Sequence, residues 1–229
     1  MEYEEIIEQL KAMSNSEAVE GMRRFGIKSP RAFGVSSPNI KMLVKKIGEN
    51  HQLAQQLWQV DTLETRAIAF MIEEPRMVTE EQMERWVQDF DSWAICDGCC
   101  NYLFRKTKFA HQKCFEWSSR EEEYVKRAGF TMMAVLAVHD KKAADEQFEK
   151  FLPIIKRESV DERNFVKKAI NWALRQIGKR NLALNKKAIE TAQTIKRIDS
   201  RSARWIASDA LRELTSQAVQ KRLKSKVNR

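Results

Sequence analysis

The chain has 229 residues, 43% of them hydrophobic and 9% aromatic, a globular rather than a disordered composition. No window approaches the run of about 18 apolar residues that a membrane span requires, and the acidic start Met1-Glu2-Tyr3-Glu4-Glu5 has no apolar signal-peptide core, so a cytoplasmic protein with no membrane partner is expected. The net charge of +9 is uneven: residues 1–150 hold 21 Lys+Arg against 25 Asp+Glu, whereas residues 151–229 hold 20 against 7, a local excess of +13 that attracts polyanions.

Short amphipathic helices are predicted over residues 3–13 and 16–25, the second ending near Gly26. Lys28-Ser29-Pro30-Arg31-Ala32-Phe33-Gly34-Val35-Ser36 reads as a loop. Ser37-Pro38 supplies an N-cap and a first-turn proline to a helix with the apolar stripe Ile40, Leu43, Val44 and Ile47 and the cations Lys41, Lys45 and Lys46. Helices over 51–60 and 62–73 follow, the second opened by Asp61-Thr62-Leu63-Glu64, similar to a capping box, and closed by Glu74-Pro75. Thr79-Glu80-Glu81-Gln82 opens the next in the same way. Further helices are predicted over 92–105, 109–117, 121–138, 142–156, 160–178, 182–195 and 201–216, with a solvated basic tail over about 218–229. With 7 glycines, 4 prolines and no hairpin dipeptide between alternating runs, the fold class is all-α.

Arg66, Asp97, Arg127, Lys168 and Arg204 recur in similar local settings at intervals of 31, 30, 41 and 36 residues. Two helices per interval is the signature of a right-handed α-solenoid of HEAT-like (ARM-like) repeats, expected here as a single domain over 1–229. The second helices of such an array line its concave side, and the five markers are expected to face that groove.

Three of the four cysteines cluster at Cys96, Cys99 and Cys100; the fourth is Cys114. A zinc site from Cys96, Cys99, His111 and Cys114 can be drawn, but Cys96, Cys99, Cys100 and Leu103 recur at the spacing of a helix core stripe, which favours buried thiols. Trp58, Trp86, Trp117 and Trp205 read as core or inter-helix packing, and His51, His111 and His139 form no catalytic arrangement.

Two segments carry candidate chemistry. In Asn164–Arg180, Val166, Ala169, Ile170, Ala173 and Ile177 form an apolar stripe with Leu174 beside it. Trp172 lies off the stripe, on a face shared with Phe165, Lys168, Arg175 and Lys179, with Arg180 adjoining. A tryptophan ringed by cations suits a polyanion that also offers a flat or apolar group. On the 92–105 helix, Trp93 and Asp97 are one turn apart and Asn101 continues the row. An aspartate amid Trp93, Cys96, Cys100 and Phe104 loses hydration; it serves either as a functional carboxylate or as a structural one that caps a helix or pairs with Arg127. Arg127, in turn, either reaches a groove with its fork or buttresses Asp97 or Glu123.

Two indoles, a carboxylate and flanking cations, without a nucleophile beside a histidine and with no cofactor or metal expected, fit removal of a base that is already positively charged. An N3- or N7-alkylated purine leaves without an acid. The sugar, developing oxocarbenium character, is what needs a carboxylate and π faces.

Ser92-Trp93, Asp97, Lys126-Arg127-Ala128 and Phe165 through Arg175, together with Phe33-Gly34-Val35-Ser36-Ser37-Pro38 and Arg204-Trp205 through Leu214, resemble the bacterial alkylpurine DNA glycosylases of the AlkD type over about residues 20–216. The resemblance implies a HEAT-like solenoid that wraps duplex DNA and excises positively charged alkylated bases, acting as a monomer. It assigns Asp97 as the catalytic carboxylate, Trp93 and Trp172 as flanking the deoxyribose, and Arg127 as the supporting arginine; Lys168, Arg175, Lys179, Arg180, Lys41 and Arg204 are the expected DNA-binding cations. The family has a second Trp beside the first and an Asp after it, where this chain reads Ser92-Trp93-Ala94. Some relatives with this architecture bind DNA without excision, so the alternative is a non-catalytic binder of damaged or branched DNA, and a peptide-binding solenoid is a third class.

Overall fold

The computed structural model describes residues 1–27 and 31–227. Lys28, Ser29 and Pro30 of the expected loop and Asn228 and Arg229 of the expected tail lie outside the described residues. Among the described residues every regular element is helical, as the sequence requires, and the helices pack as two compact units, Met1–Phe109 and Ala110–Arg229.

The first unit contains α1 (Tyr3–Ala12), α2 (Ser16–Arg24), α3 (Ser37–Ile47), α4 (His51–Trp58), α5 (Leu63–Ile72), α6 (Glu80–Gln88), α7 (Trp93–Tyr102) and a 3-10 turn, Phe104–Lys106. Its centre is a parallel stack of Trp58 on Trp86, ring centroids 3.9 Å apart. The Trp58 indole N–H donates to Asp89 (2.7 Å), and the Arg66 guanidinium lies 5.2 Å from the ring centroid. These contacts join α4, α5 and α6, because a buried indole needs both a partner for its N–H and apolar cover for its faces.

Two buried carboxylates organise the loops. Glu64, 2% exposed, accepts the amides of Phe33 (2.9 Å), Gly34 (2.7 Å) and Val35 (3.2 Å). Glu73 accepts from Gln55 and Gln82, at 2.7 and 2.8 Å, and lies 2.7 Å from a His51 ring nitrogen. Charge-assisted bonds of this kind offset the cost of burying a carboxylate. Glu64 therefore does more than complete a cap: Thr62 and Thr65 form the reciprocal cap of α5, while Asp61, in the left-handed region at φ 59°, pairs with Arg66. Gly34 is held at φ 77°, where a Cβ would stand 2.1 Å from the Asn15 carbonyl oxygen.

The second unit contains α8 (Ala110–Ser118), α9 (Glu123–His139), α10 (Asp145–Glu149), α11 (Phe151–Glu158), α12 (Asn164–Gly178), α13 (Leu182–Lys196), α14 (Arg201–Leu214) and α15 (Gln217–Val227). Every residue of α9 from Val125 to Ala137 is buried, as its charge-free run predicts. α9 packs on α8 and α12, and α12 packs on α13 and α14, the pair-on-pair stacking of a HEAT-like repeat.

Three expectations change. The helix expected over 142–156 breaks at Lys150, because Pro153, in its interior, has no N–H and clashes with the carbonyl four residues back; the structure puts it in the first turn of α11 instead. The expected solvated tail forms α15, with Leu223 buried and the Gln220 amide donating to Asn185. Two of the arginine markers are structural rather than groove residues: Arg66 and Arg127 are both buried and each donates to a backbone carbonyl, of Asp89 and Phe165 respectively.

Candidate nucleic-acid interface

Helix α7 presents one edge to its unit's core and one outward. Ile95, Cys96, Cys99 and Cys100 are buried, and Gly98 admits the ring of Phe70 so closely that a Cβ would lie 2.5 Å from it. Trp93, Asp97 and Asn101, on the other edge at intervals of four, are half-buried. The Trp93 indole N–H donates to the main-chain carbonyl of Phe25 at 2.9 Å, which fixes the ring one turn before the carboxylate. The cysteines are buried thiols, as the helix spacing predicts. Burial pushes the Cys100 thiol well up, and Cys96, Cys99 and the negative charge of nearby Asp97 add to the rise. Among the described residues, no cluster of three or more His, Cys, Asp or Glu is placed to hold a metal ion.

In the second unit, Val166, Ala169, Ile170, Ala173, Leu174 and Ile177 are fully buried, so the predicted stripe of α12 is its core face. Trp172 is off that face and half-buried. Arg127, 6% exposed, is not at an open edge: its guanidinium donates to the carbonyl of Phe165 and ties α9 to the first turn of α12. Phe165 packs near Tyr124, ring centroids 5.8 Å apart.

The expected DNA-binding cations separate into two groups. Lys168 and Lys41 are exposed, and Arg204 is exposed with an ion pair to Asp199 at 2.8 Å. Arg175 and Lys179 are both bonded to Glu213, at 2.7 and 2.6 Å. Burial raises the Glu213 carboxyl, but Lys179 and Arg175 outweigh it and hold the group below its ordinary range. Arg180 is corrected to a structural role. Its side chain folds inward, the guanidinium 4.2 Å from the Phe148 centroid and donating to the carbonyls of Ala137 and Ala143. Such a fork is engaged on three sides by its own fold.

Trp58, Trp86 and Trp117 are buried as expected, but Trp205 is 42% exposed, with Lys167 Nζ 5.4 Å from its ring centroid. The sequence carried the signal. On α14 the apolar period is Ala203, Ile206, Ala207, Ala210 and Leu214, all buried, and Trp205 falls outside it.

Comparison with known proteins bears on the family and the fold. A family model described as DNA alkylation repair enzyme matches residues 6–214. A solved structure of a protein from a family related to the HEAT-like repeat DNA glycosylases, with affinity for branched DNA structures, is 20% identical, with a TM-score of 0.77 over 93% of this chain and 95% of that one. That likeness establishes the HEAT-like fold. A designed armadillo repeat protein in complex with a (KR)4 peptide is 14% identical over 82% of this chain and 90% of its own, with a TM-score of 0.35, too low to bear on the fold. No functionally curated protein matches the chain in sequence.

Proposed function

The chain belongs to the DNA alkylation repair enzyme family, and on that premise we propose that it is a glycosylase releasing N3- or N7-alkylated purines from duplex DNA. Such a base is a cation, so the C1′–N bond breaks with its electron pair passing to a leaving group that becomes neutral. Asp97 then stabilises the electron-deficient sugar and accepts the proton of the water that adds to C1′. Trp93 offers its π face to the same charge. By resemblance, Trp172 supplies a second indole contact with the deoxyribose, and Arg127 supports the site through α12. Phosphates fall to the exposed cations Lys168, Lys41 and Arg204.

The observation that carries this reading is the outward edge of α7, where a half-buried carboxylate follows by one turn an indole already oriented by its N–H. The test is release of 7-methylguanine from methylated duplex DNA. Asp97→Asn should lower the rate by about two orders of magnitude or more with DNA affinity little changed. Equal release by both proteins overturns the assignment.

A second reading, non-catalytic binding of damaged or branched DNA, is favoured by the affinity for branched DNA described for the structurally similar protein. Under that reading the wild-type protein binds DNA and releases no base.

A further inference from the structure

Helix α14 turns Arg201, Arg204, Trp205 and Ser208, at i, i+3, i+4 and i+7, toward solvent, while Ser202, Ala203, Ile206, Ala207 and Ala210 are buried. An indole 42% exposed at such a position lies off the buried stripe of its helix. A cation, Lys167 Nζ on α12, lies 5.4 Å from its ring centroid, and Lys168 beside it is exposed. Carboxylates are present too: Asp199 pairs with Arg204, and Asp209 pairs with Arg212. Asp199 is fully exposed, so its pair with Arg204 is weak and a phosphate can exchange for it. The surrounding chain, residues 151–229, carries a net +13.

An exposed aromatic ring flanked by cations is the arrangement by which proteins hold single-stranded nucleic acid: bases stack on the ring and the cations follow the backbone. A fully paired duplex hides its base faces and cannot use the indole in this way. We infer that Trp205 is a stacking platform for an unpaired base, with Lys167 and Arg204 on the flanking phosphates, so that the α12–α14 face engages DNA of single-stranded character. The inference deepens the proposed function by naming a form of DNA for this face. It assigns Trp205 no part in base release.

The test compares the full-length protein with Trp205→Ala and Trp205→Phe, using an oligothymidine, a duplex with a single-stranded flap, and the plain duplex. Trp205→Ala should weaken oligothymidine and flap binding by about tenfold, the stacking of one base, and leave duplex binding unchanged. Trp205→Phe should restore most of the loss, and tryptophan fluorescence should be quenched by oligothymidine in the wild type more than in Trp205→Phe. Lys167→Gln should lessen the salt dependence of oligothymidine binding, with little change in its sequence tolerance. Unchanged oligothymidine and flap affinity in Trp205→Ala overturns the inference, as does an equal loss for plain duplex. A protein that binds single strands through Trp205 but releases no base overturns the glycosylase reading alone. Base release with Trp205→Ala indifferent to single strands overturns this inference alone.

Discussion

The indole N–H of Trp93 is bonded to the backbone carbonyl of Phe25, 68 residues earlier. Any residue at position 25 can supply that carbonyl. The Phe25 ring itself is 73% exposed, so anchor and ring are separable by mutation. Trp93→Phe keeps an aromatic face but loses the donor, and base release in single-turnover assays should fall by about tenfold, the value of one hydrogen bond. Phe25→Ala should leave the anchor in place. Wild-type release by Trp93→Phe would show that the bond does not orient the ring.

Trp172 should matter to chemistry more than to stability. It is half-buried and off the core stripe of α12, so Trp172→Ala should cost about 1 kcal/mol or less in urea denaturation, against about 3 kcal/mol or more for a fully buried indole such as Trp117. Base release should fall in the Trp172 variant. A stability loss matching that of Trp117→Ala would place Trp172 in the core.

Two glycines with nearly the same positive φ should respond differently to alanine. Gly34 and Gly48 have φ 77° and 75°, and Gly48, at ψ −169°, lies in a region essentially reserved to glycine, so an alanine there bears about 1–3 kcal/mol of backbone strain. Only at Gly34 does the new Cβ meet backbone, 2.1 Å from the Asn15 oxygen; at Gly48 there is nothing within 4 Å. Gly48→Ala should therefore lose only the strain, about 1–3 kcal/mol, and Gly34→Ala about 2 kcal/mol or more beyond that, through displacement of the Glu64-bound loop. Equal losses in chemical denaturation would refute this.

Lys126 joins two carboxylates, 2.8 Å from Glu158 and 3.6 Å from Asp161. Burial raises both carboxyls, but Lys126 together with Arg157 at the first and Arg163 at the second outweigh it, leaving both below their ordinary range. Groups so depressed stabilise the fold above their unfolded pKa, about 4, and that contribution is lost as pH falls through the folded value. Lys126→Met should therefore lower the unfolding free energy by about 2–3 kcal/mol at pH 7, with the gap to wild type narrowing below about pH 4. A gap independent of pH would mean that Lys126 acts through packing alone.

The periodic parts of the fold were legible in the sequence. The charge-free run of α9 and the stripe of α12 are core because burial follows the 3.6-residue period. The hydrophobic period would also have placed Trp205 outside, had its residue type not been weighed above its position. What could not be read were pairings set by tertiary geometry. Nothing local marks Glu64 as the acceptor for three amides some thirty residues away, or Arg180 as a partner for Phe148 rather than for phosphate. The helical spacing of Val219 and Leu223 did announce α15, but the density of Lys and Arg around them masked it.

The buried cysteines bear on how this protein withstands electrophiles. Electrophiles that methylate purines also attack sulfur, and they do so through the thiolate. Burial pushes the Cys99, Cys100 and Cys114 thiols well above their ordinary values, keeping them protonated and out of reach at neutral pH. Cys99 and Cys100, on the buried side of the helix that carries Trp93 and Asp97, and Cys114, on α8, are thereby withheld from such reagents.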